Sequence, residues 1–181
     1  MTATKRTDRV FRALRINKVG DTTKTSVREV TSGDLPEGDV TIDIRYSDLN
    51  SKDDRVMEPG STIPVRHPIT PGIDLAGTVT ESANPRFVPG DKVLVNGFGL
   101  GTDRDGGLAQ RTRVPGAWLT LIPRELDERH AASIGTAGYT VALAIDALID
   151  AGAPRQRASS RDRRRWHGQV DFHDTAFCGK L

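Results

Sequence analysis

The 181-residue chain is 36% hydrophobic and 28% charged, has a net charge of +2, and contains 18 glycines and 10 prolines. This composition, with only 5% aromatic residues, favours a turn-rich β structure over a helical bundle. The single cysteine, Cys178, excludes a disulfide framework within the chain and a cysteine-rich zinc site.

The sequence contains no run of about 18 apolar residues, so no membrane span is predicted. The residues after Met1 show no apolar signal-peptide core. We therefore expect a cytoplasmic protein. Positive charge is concentrated in residues 153–181, which contain six Arg and one Lys against three Asp. The neutral-to-acidic remainder lacks the excess of basic residues that a phosphate-binding face needs. We therefore do not expect nucleic acid to be the main partner.

Short strands divided by turns are predicted over the first two thirds of the chain. Phe11 to Val19 indicates a strand that ends at a Gly20-Asp21 turn, and Val40 to Tyr46 alternates apolar and polar residues as a half-buried strand does. Residues 47–54 indicate a loop or short helix. Further strands are predicted within residues 71–79, at 92–95, after 106–109 and at 118–122. A glycine within the 71–79 strand indicates a bend or a close backbone approach. Together these segments predict a partly open β-barrel.

Helical periodicity begins after Asp127, a favourable N-cap residue. Apolar residues then recur at helical spacing, at Val141, Ile145, Leu148 and Ile149. The glycines in 135–138 predict two helices or one kinked helix, and Gly152 with Pro154 predicts its end.

Several segments appear in the order and spacing typical of one family. They are 35–41, 49–53, 71–79, 85–87, 90–93, 106–109 and 134–140. Taken together, they resemble the medium-chain dehydrogenase/reductase superfamily, and within it the zinc-independent quinone oxidoreductase-like and acrylyl-CoA reductase branch. The resemblance covers about residues 11–152. It implies a GroES-like barrel, a Rossmann domain that binds NADPH, and an active site in the cleft between them.

Zinc independence has a chemical basis in these residues. Zinc-dependent members place a Cys in the loop that here reads Asn50-Ser51-Lys52, and a His-Glu pair where Ile73-Asp74 stands. Without a thiolate or an imidazole at these places, a catalytic zinc lacks its ligands, and a lone remote Cys178 cannot build the four-cysteine structural site. We predict no metal.

The resemblance implies site residues at the nicotinamide end of the cleft. It implies catalytic roles for Asn50, which would contact substrate or ribose, and for Lys52, and it implies a place beside the cofactor for Ser51, where the family has an aromatic ring. Lys52 is also a candidate ion-pair partner of Asp53 or Asp74. The alternative for residues 50–53 is a polar loop that satisfies its own backbone.

Two further residues are candidates. Asp74 lies in a strand of small and apolar residues, so it is a catalytic group or a structural ion pair, and Lys52 is its candidate partner. Thr136 is a candidate hydrogen-bond donor to the nicotinamide amide. The surrounding glycines are equally explained by close helix packing.

Other candidate sites fail on spacing. Residues 97–101 read Gly-Phe-Gly-Leu-Gly, but Thr102 stands where a dinucleotide fingerprint needs its third Gly and no amphipathic helix follows, so we predict a loop. His67, His130, His167 and His173 show no paired ligand spacing. The run Arg163-Arg164-Arg165-Trp166 resembles a nucleic-acid contact, although a charged, disordered terminus is the commoner explanation.

After Gly152 the family's Val-rich strand and Gly-rich turn, which bind the pyrophosphate, do not follow. Residues 153–181 show no apolar periodicity, so we expect a basic, disordered tail, and a shifted reading frame or early stop is our hypothesis for it. Translating the downstream DNA in the other two frames tests this.

Three functions stay open: an inactive part of an NADPH-dependent reductase, a non-catalytic GroES-like module that joins a separate nucleotide-binding partner or a second copy, and nucleic-acid binding through the tail. The acceptor, whether quinone, enone or acyl-CoA thioester, also stays open.

Overall fold

The computed structural model describes residues 9–152, and the predictions for the tail lie outside these residues. Seven strands and two helices follow one another: β1 (Val10–Val19), β2 (Thr22–Thr31), β3 (Val40–Tyr46), α1 (Ser51–Met57), β4 (Asp74–Ser82), β5 (Lys92–Asn96), β6 (Arg111–Val114), β7 (Thr120–Leu121) and α2 (Glu128–Asp150).

All strand pairing in the named strands is antiparallel. β1 and β2 form a hairpin, and the other strands form a sheet in the order β6-β3-β4-β5-β7. The hairpin joins the rest through isolated bridges between Ala13 and Ala109 and between Ile16 and Ile69. The predicted mainly-β, partly open barrel followed by helix is confirmed.

The main core fills the space inside the five-stranded sheet. Inward-facing residues of the strands and adjoining loops are almost wholly buried, as period-two alternation requires. They are Val40, Ile42, Leu75, Val79, Phe87, Val93, Val95, Leu100, Val114 and Leu119. Smaller clusters lie under the hairpin and between β4 and the start of α2.

Gly77 allows a close backbone approach in the small-residue strand. A Cβ there would overlap the Asp43 carbonyl oxygen and stand 3.0 Å from the Ile44 Cα atom. The register between β3 and β4 shifts next to this contact, between Ile44 and Tyr46. The close backbone approach expected from a glycine in this strand is confirmed.

Two elements differ from the sequence prediction. The strand β2 was missed because its residues are mostly polar and exposed, so no buried alternation marks it. The last strand is shorter than residues 118–122, since residues 116–118 form a 3-10 turn before Thr120.

The helix α2 begins after Asp127, whose carboxylate accepts a hydrogen bond from the His130 N–H at 2.8 Å, and it is kinked at Gly135. The N-cap and the interruption are confirmed. Beyond the kink its apolar residues are exposed, among them Tyr139, Val141, Leu143, Ile145 and Leu148.

By length and composition α2 could cross a membrane, with a mean hydropathy of 1.5 over its most apolar window. The straight part after the kink has roughly 15 residues and spans about 22 Å, less than the ~30 Å of a hydrocarbon core. This shortfall favours an apolar helix that packs against protein.

Candidate active site

Asp74 is the buried centre of the site. Its side chain is fully buried. Oδ1 accepts a hydrogen bond from the Thr136 hydroxyl at 2.6 Å, and Oδ2 accepts from the Thr136 backbone N–H at 2.7 Å and from Asn50 Nδ2 at 3.1 Å. One carboxylate therefore ties β4 to the loop before α1 and to the kink in α2.

The kink brings Thr136 to Asp74. Gly135 has φ 48° and ψ −161°, a conformation essentially restricted to glycine. A Cβ on Gly135 would overlap Asp48 Oδ2 and stand 3.1 Å from Asp74 Oδ2. Asp74 accepts a hydrogen bond from the Thr136 N–H directly after the break, and so it acts as a cap from another strand.

Asp53 is a second buried carboxylate, and it supports the backbone around the site. Oδ1 accepts from the N–H groups of Gly72 at 2.9 Å and Ile73 at 3.0 Å, and Oδ2 accepts from the Asn50 N–H at 2.9 Å. Burial raises the pKa of Asp53, and these backbone donors oppose the rise. The residue holds α1 against the start of β4.

A cleft of about 390 Å³ lies above these carboxylates. Four of the five predicted site residues line it: Asn50, Ser51, Lys52 and Thr136. The fifth, Asp74, is buried beneath it and hydrogen-bonded to two of them. The remaining wall is formed by Ile73, Gly97, Gly99, Leu100 and Thr102.

The structure bears on two expected contacts. Lys52 is exposed, and within residues 9–152 it forms no ion pair with Asp53 or Asp74, whose oxygens are occupied by N–H and hydroxyl donors. Thr136 was expected to donate to a nicotinamide amide, but its one hydroxyl hydrogen is directed to Asp74. In this arrangement the hydroxyl is free only to accept a hydrogen bond at the cleft.

Asp48, which lies in the loop after β3, was not predicted as a site residue. Its side chain hydrogen-bonds with Asp74. The pKa of Asp48 is raised to about 7, first by burial and then by the negative charge of Asp74. The only signal in the sequence was an acidic residue two positions before Asn50. Its partners in β4 and α2 are distant in the chain, so no local pattern could show the contact.

The glycine-rich segment at residues 97–101 is a loop, as predicted, and it forms one rim of the cleft. Gly97, Phe98, Gly99 and Gly101 all have positive φ. The Phe98 ring stacks on Trp118 at a centroid distance of 5.1 Å. The segment is therefore ordered by aromatic packing, and no helix follows it to cradle a pyrophosphate.

A larger groove, of about 580 Å³, runs beside β1, β3 and β6. None of the predicted site residues lines it. Arg9, Arg45 and Arg111 line it, and two of them, Arg9 and Arg111, are paired with Asp43, at 3.1 Å and 2.9 Å. We place the candidate site in the smaller cleft because polar groups from three elements converge there.

Metal ligands do not come together in the described part of the chain, since no group of three or more His, Cys, Asp or Glu side chains is arranged to hold an ion between residues 9 and 152. His167, His173 and Cys178 lie outside it. Zinc independence is therefore argued from the residue types at 50–52 and 73–74.

Comparison with known proteins gives the same assignment for the barrel. The sequence pattern of the alcohol dehydrogenase GroES-like domain matches residues 36–124. AcuI of Escherichia coli, provisionally named an acrylyl-CoA reductase, is 45% identical over 146 residues, which are 81% of this chain and 45% of AcuI. YhfP of Bacillus subtilis, provisionally named a quinone oxidoreductase, is 39% identical over 83% of this chain and 46% of its own length.

A crystal structure of the YhdH oxidoreductase from Salmonella enterica in complex with NADP superimposes with a TM-score of 0.74 at 45% identity. The match covers 78% of this chain and 44% of that one. The chain thus spans about half the length of the relatives it matches, and residues 9–152 contain no Rossmann domain. The chain belongs to the zinc-independent medium-chain dehydrogenase/reductases, in the branch of acrylyl-CoA reductase and quinone oxidoreductase-like proteins, and corresponds to their N-terminal, GroES-like part.

Proposed function

We propose that this chain is the substrate-side part of an NADPH-dependent reductase that transfers hydride to an activated C=C bond, and that the 181-residue chain alone is inactive. The observation that carries the proposal is the convergence of Asn50, Lys52 and Thr136 on one cleft, with Asp74 fixing two of them from below. Relatives with NADP-bound structures and reductase names support the assignment.

The cleft fits only one end of a dinucleotide. The Thr136 hydroxyl offers an acceptor for an amide N–H group, and Ser51 adds a small hydroxyl at the first turn of α1. Within residues 9–152 no glycine-rich strand-to-helix turn is present to hold a pyrophosphate. NADPH, when bound, would supply the hydride from its nicotinamide.

The chain's own polar groups suit the acceptor end of such a reaction. Hydride addition to the β-carbon of an enone or enoyl thioester shifts negative charge to the carbonyl oxygen, and a proton must then reach the α-carbon. The Lys52 ammonium and the Asn50 amide stand at the cleft where they would stabilise that oxygen. Both groups act by position and charge, so we do not assign either as the proton donor.

The test compares the chain with a chimera. Residues 1–152 would be joined to the nucleotide-binding half of E. coli AcuI, and NADPH would be titrated into both proteins by calorimetry. We expect no measurable binding by the 181-residue chain and micromolar binding by the chimera, with NADPH consumption when an enoyl thioester is added. Micromolar binding by the chain alone would refute its inactivity. A chimera that binds NADPH but reduces no enone, enoyl thioester or quinone would refute the reductase assignment.

A second candidate function rests on α2. Its exposed apolar side chains are typical of a helix that is covered by protein, so the chain could be a non-catalytic GroES-like module that joins a nucleotide-binding partner or a second copy. Nucleic-acid binding through the tail is the third candidate. It predicts affinity that falls steeply with salt and disappears when residues 153–181 are deleted. For all three we propose a cytoplasmic location.

A further inference from the structure

We propose that Asp48 is a positioning residue of this site: below neutral pH it carries a proton and donates a hydrogen bond to Asp74, which holds Asn50 and Thr136 at the cleft. The meaning of this for catalysis rests on the proposed reductase function. The proton itself can be measured in the chain alone.

The geometry brings two carboxyl groups together at the kink. The Oδ2 atoms of Asp48 and Asp74 both approach the point where Gly135 would carry a Cβ, and the two side chains hydrogen-bond with each other. Two ionised carboxylates have no hydrogen to share, so a hydrogen bond between them requires a proton on one. The pair then has a single negative charge.

The donors around each residue show which one is ionised. Asp74 accepts hydrogen bonds from the Thr136 hydroxyl, the Thr136 N–H and the Asn50 amide, and three donors stabilise a carboxylate. Asp48 Oδ1 is buried and has no partner within residues 9–152. The proton therefore belongs to Asp48, and the charge to Asp74.

The surroundings support this assignment. The pKa of Asp48 is raised to about 7. Burial is the largest cause, and the negative charge of Asp74, the hydrogen bond to Asp74 and the negative charge of Asp53 raise it further. These acidic groups come from β4 and α1. The contacts from α2 are Gly135 and Thr136, which do not titrate, and Lys52 on α1 is exposed.

Loss of this proton would place two negative charges against one kink. Repulsion would then weaken the arrangement in which Asp74 holds Thr136 and Asn50. Asp48 thus makes the presentation of two cleft residues depend on pH near neutrality. A merely structural Asp48 would leave the contact between Thr136 and Asp74 unchanged by pH.

Nuclear magnetic resonance of the full 181-residue chain between pH 4 and 9 tests the proposal. We expect the Asp48 carboxyl carbon to titrate with a midpoint near 7, about three units above its ordinary value of 3.8. The Thr136 amide signal should shift with the same midpoint. In Asp48→Asn, whose amide still donates to Asp74, the Thr136 shift should disappear, while the exposed control Asp54→Asn should keep it.

An Asp48 midpoint near 4, or an unchanged Thr136 titration in Asp48→Asn, would overturn the proposal. If Asp48→Asn does not fold, the wild-type carboxyl midpoint decides alone. A normal midpoint would leave the reductase assignment standing. A chimera that fails to reduce any acceptor would remove that assignment and leave the shared proton intact.

Discussion

The buried carboxylates at the site have different tasks although they lie close together. Asp53 accepts three backbone N–H groups and so fixes the path of the chain, whereas Asp74 fixes the side chains and backbone that reach the cleft. Asp48 hydrogen-bonds with Asp74 and, in our proposal, carries the proton of the pair. Mutation of Asp53 should therefore affect the stability of the backbone around the site, whereas mutation of Asp74 should affect the groups that reach the cleft.

Replacement of Asp53 tests its supporting role. Asp53→Ala leaves the N–H groups of Gly72, Ile73 and Asn50 without their acceptor, and each buried unsatisfied donor costs about 1–3 kcal/mol. We expect the free energy of unfolding in urea to fall by about 3 kcal/mol or more. Asp54→Ala, on the exposed side of the same helix, should change it by less than about 0.5 kcal/mol. Similar losses in both variants would contradict this role.

The raised pKa of Asp48 also predicts how stability depends on pH. Between about pH 4 and 7 the folded chain binds a proton that the unfolded chain has released, so the free energy of unfolding falls as pH rises, by up to about 1.4 kcal/mol per pH unit. The raised pKa of Asp53 acts in the same direction. Urea unfolding at intervals of half a pH unit should show this slope, reduced in Asp48→Asn. Stability that rises over this range would contradict it.

At this scale the sequence predicted the positions better than the contacts. Asn50, Ser51, Lys52 and Thr136 do meet at one cleft, which the resemblance to the family implied. The predicted partner of Asp74, Lys52, was wrong. Lys52 is nearer to Asp74 in the sequence, but Thr136 is the residue that contacts it, because the kink in α2 brings Thr136 there. Contacts between separate elements depend on the completed fold.

Strand β4 is the element that organises the site. It pairs with β3 on one side and β5 on the other, it begins at Asp74, and its close approach to β3 depends on Gly77. The small side chains of this strand were visible in the sequence. The reason for these small side chains was not visible in the sequence, because Asp43 and Ile44, which Gly77 approaches closely, belong to a neighbouring strand.

The Gly77 contact leads to a prediction for β4. Gly77→Ala would force a Cβ against the Asp43 carbonyl oxygen and the Ile44 backbone, neither of which can rotate away. We expect a loss of about 2–3 kcal/mol in the free energy of unfolding. The control Gly20→Ala, at φ 61° with open space around it, should lose only about 1 kcal/mol from backbone strain. A loss at position 77 no larger than at position 20 would show that the strands separate easily.

Among the elements, strongly periodic segments were predicted well and exposed ones poorly. The limits of β3 were predicted because one of its faces is buried in the core, and the start of α2 because Asp127 caps it. The strand β2 was missed because it packs mainly on β1 and leaves its other groups in solvent. Burial produces the sequence pattern, so exposed elements leave little trace.

For the molecule as a whole, the unusual feature is α2 beyond its kink. Apolar side chains are about half exposed along it, for example Val141 at 48% and Leu148 at 59%. A helix that is apolar on several sides is normally buried in a larger protein. The exposure fits a chain that matches under half of its relatives' length.

Self-association of the isolated chain should therefore depend on α2. We expect sedimentation velocity to show dimers or larger species that increase with protein concentration. The triple variant Val141→Lys, Ile145→Glu, Leu148→Lys should be monomeric with unchanged barrel stability. A matched change on the hairpin, Val10→Lys, Val19→Glu, Val27→Lys, removes equally exposed side chains and should not alter association. A wild-type chain that is monomeric at all concentrations would contradict the prediction.

The most direct test of the reductase assignment follows the hydride itself. The chimera of residues 1–152 with the nucleotide-binding half of AcuI would be incubated with an enoyl thioester and NADPH carrying deuterium at C4 of the nicotinamide. We predict one deuterium at the β-carbon of the saturated product, detected by mass spectrometry, and none when the 181-residue chain replaces the chimera. A chimera that binds the labelled NADPH but gives no deuterated product from any enoyl thioester or enone, and oxidises no NADPH with a quinone, would contradict the account.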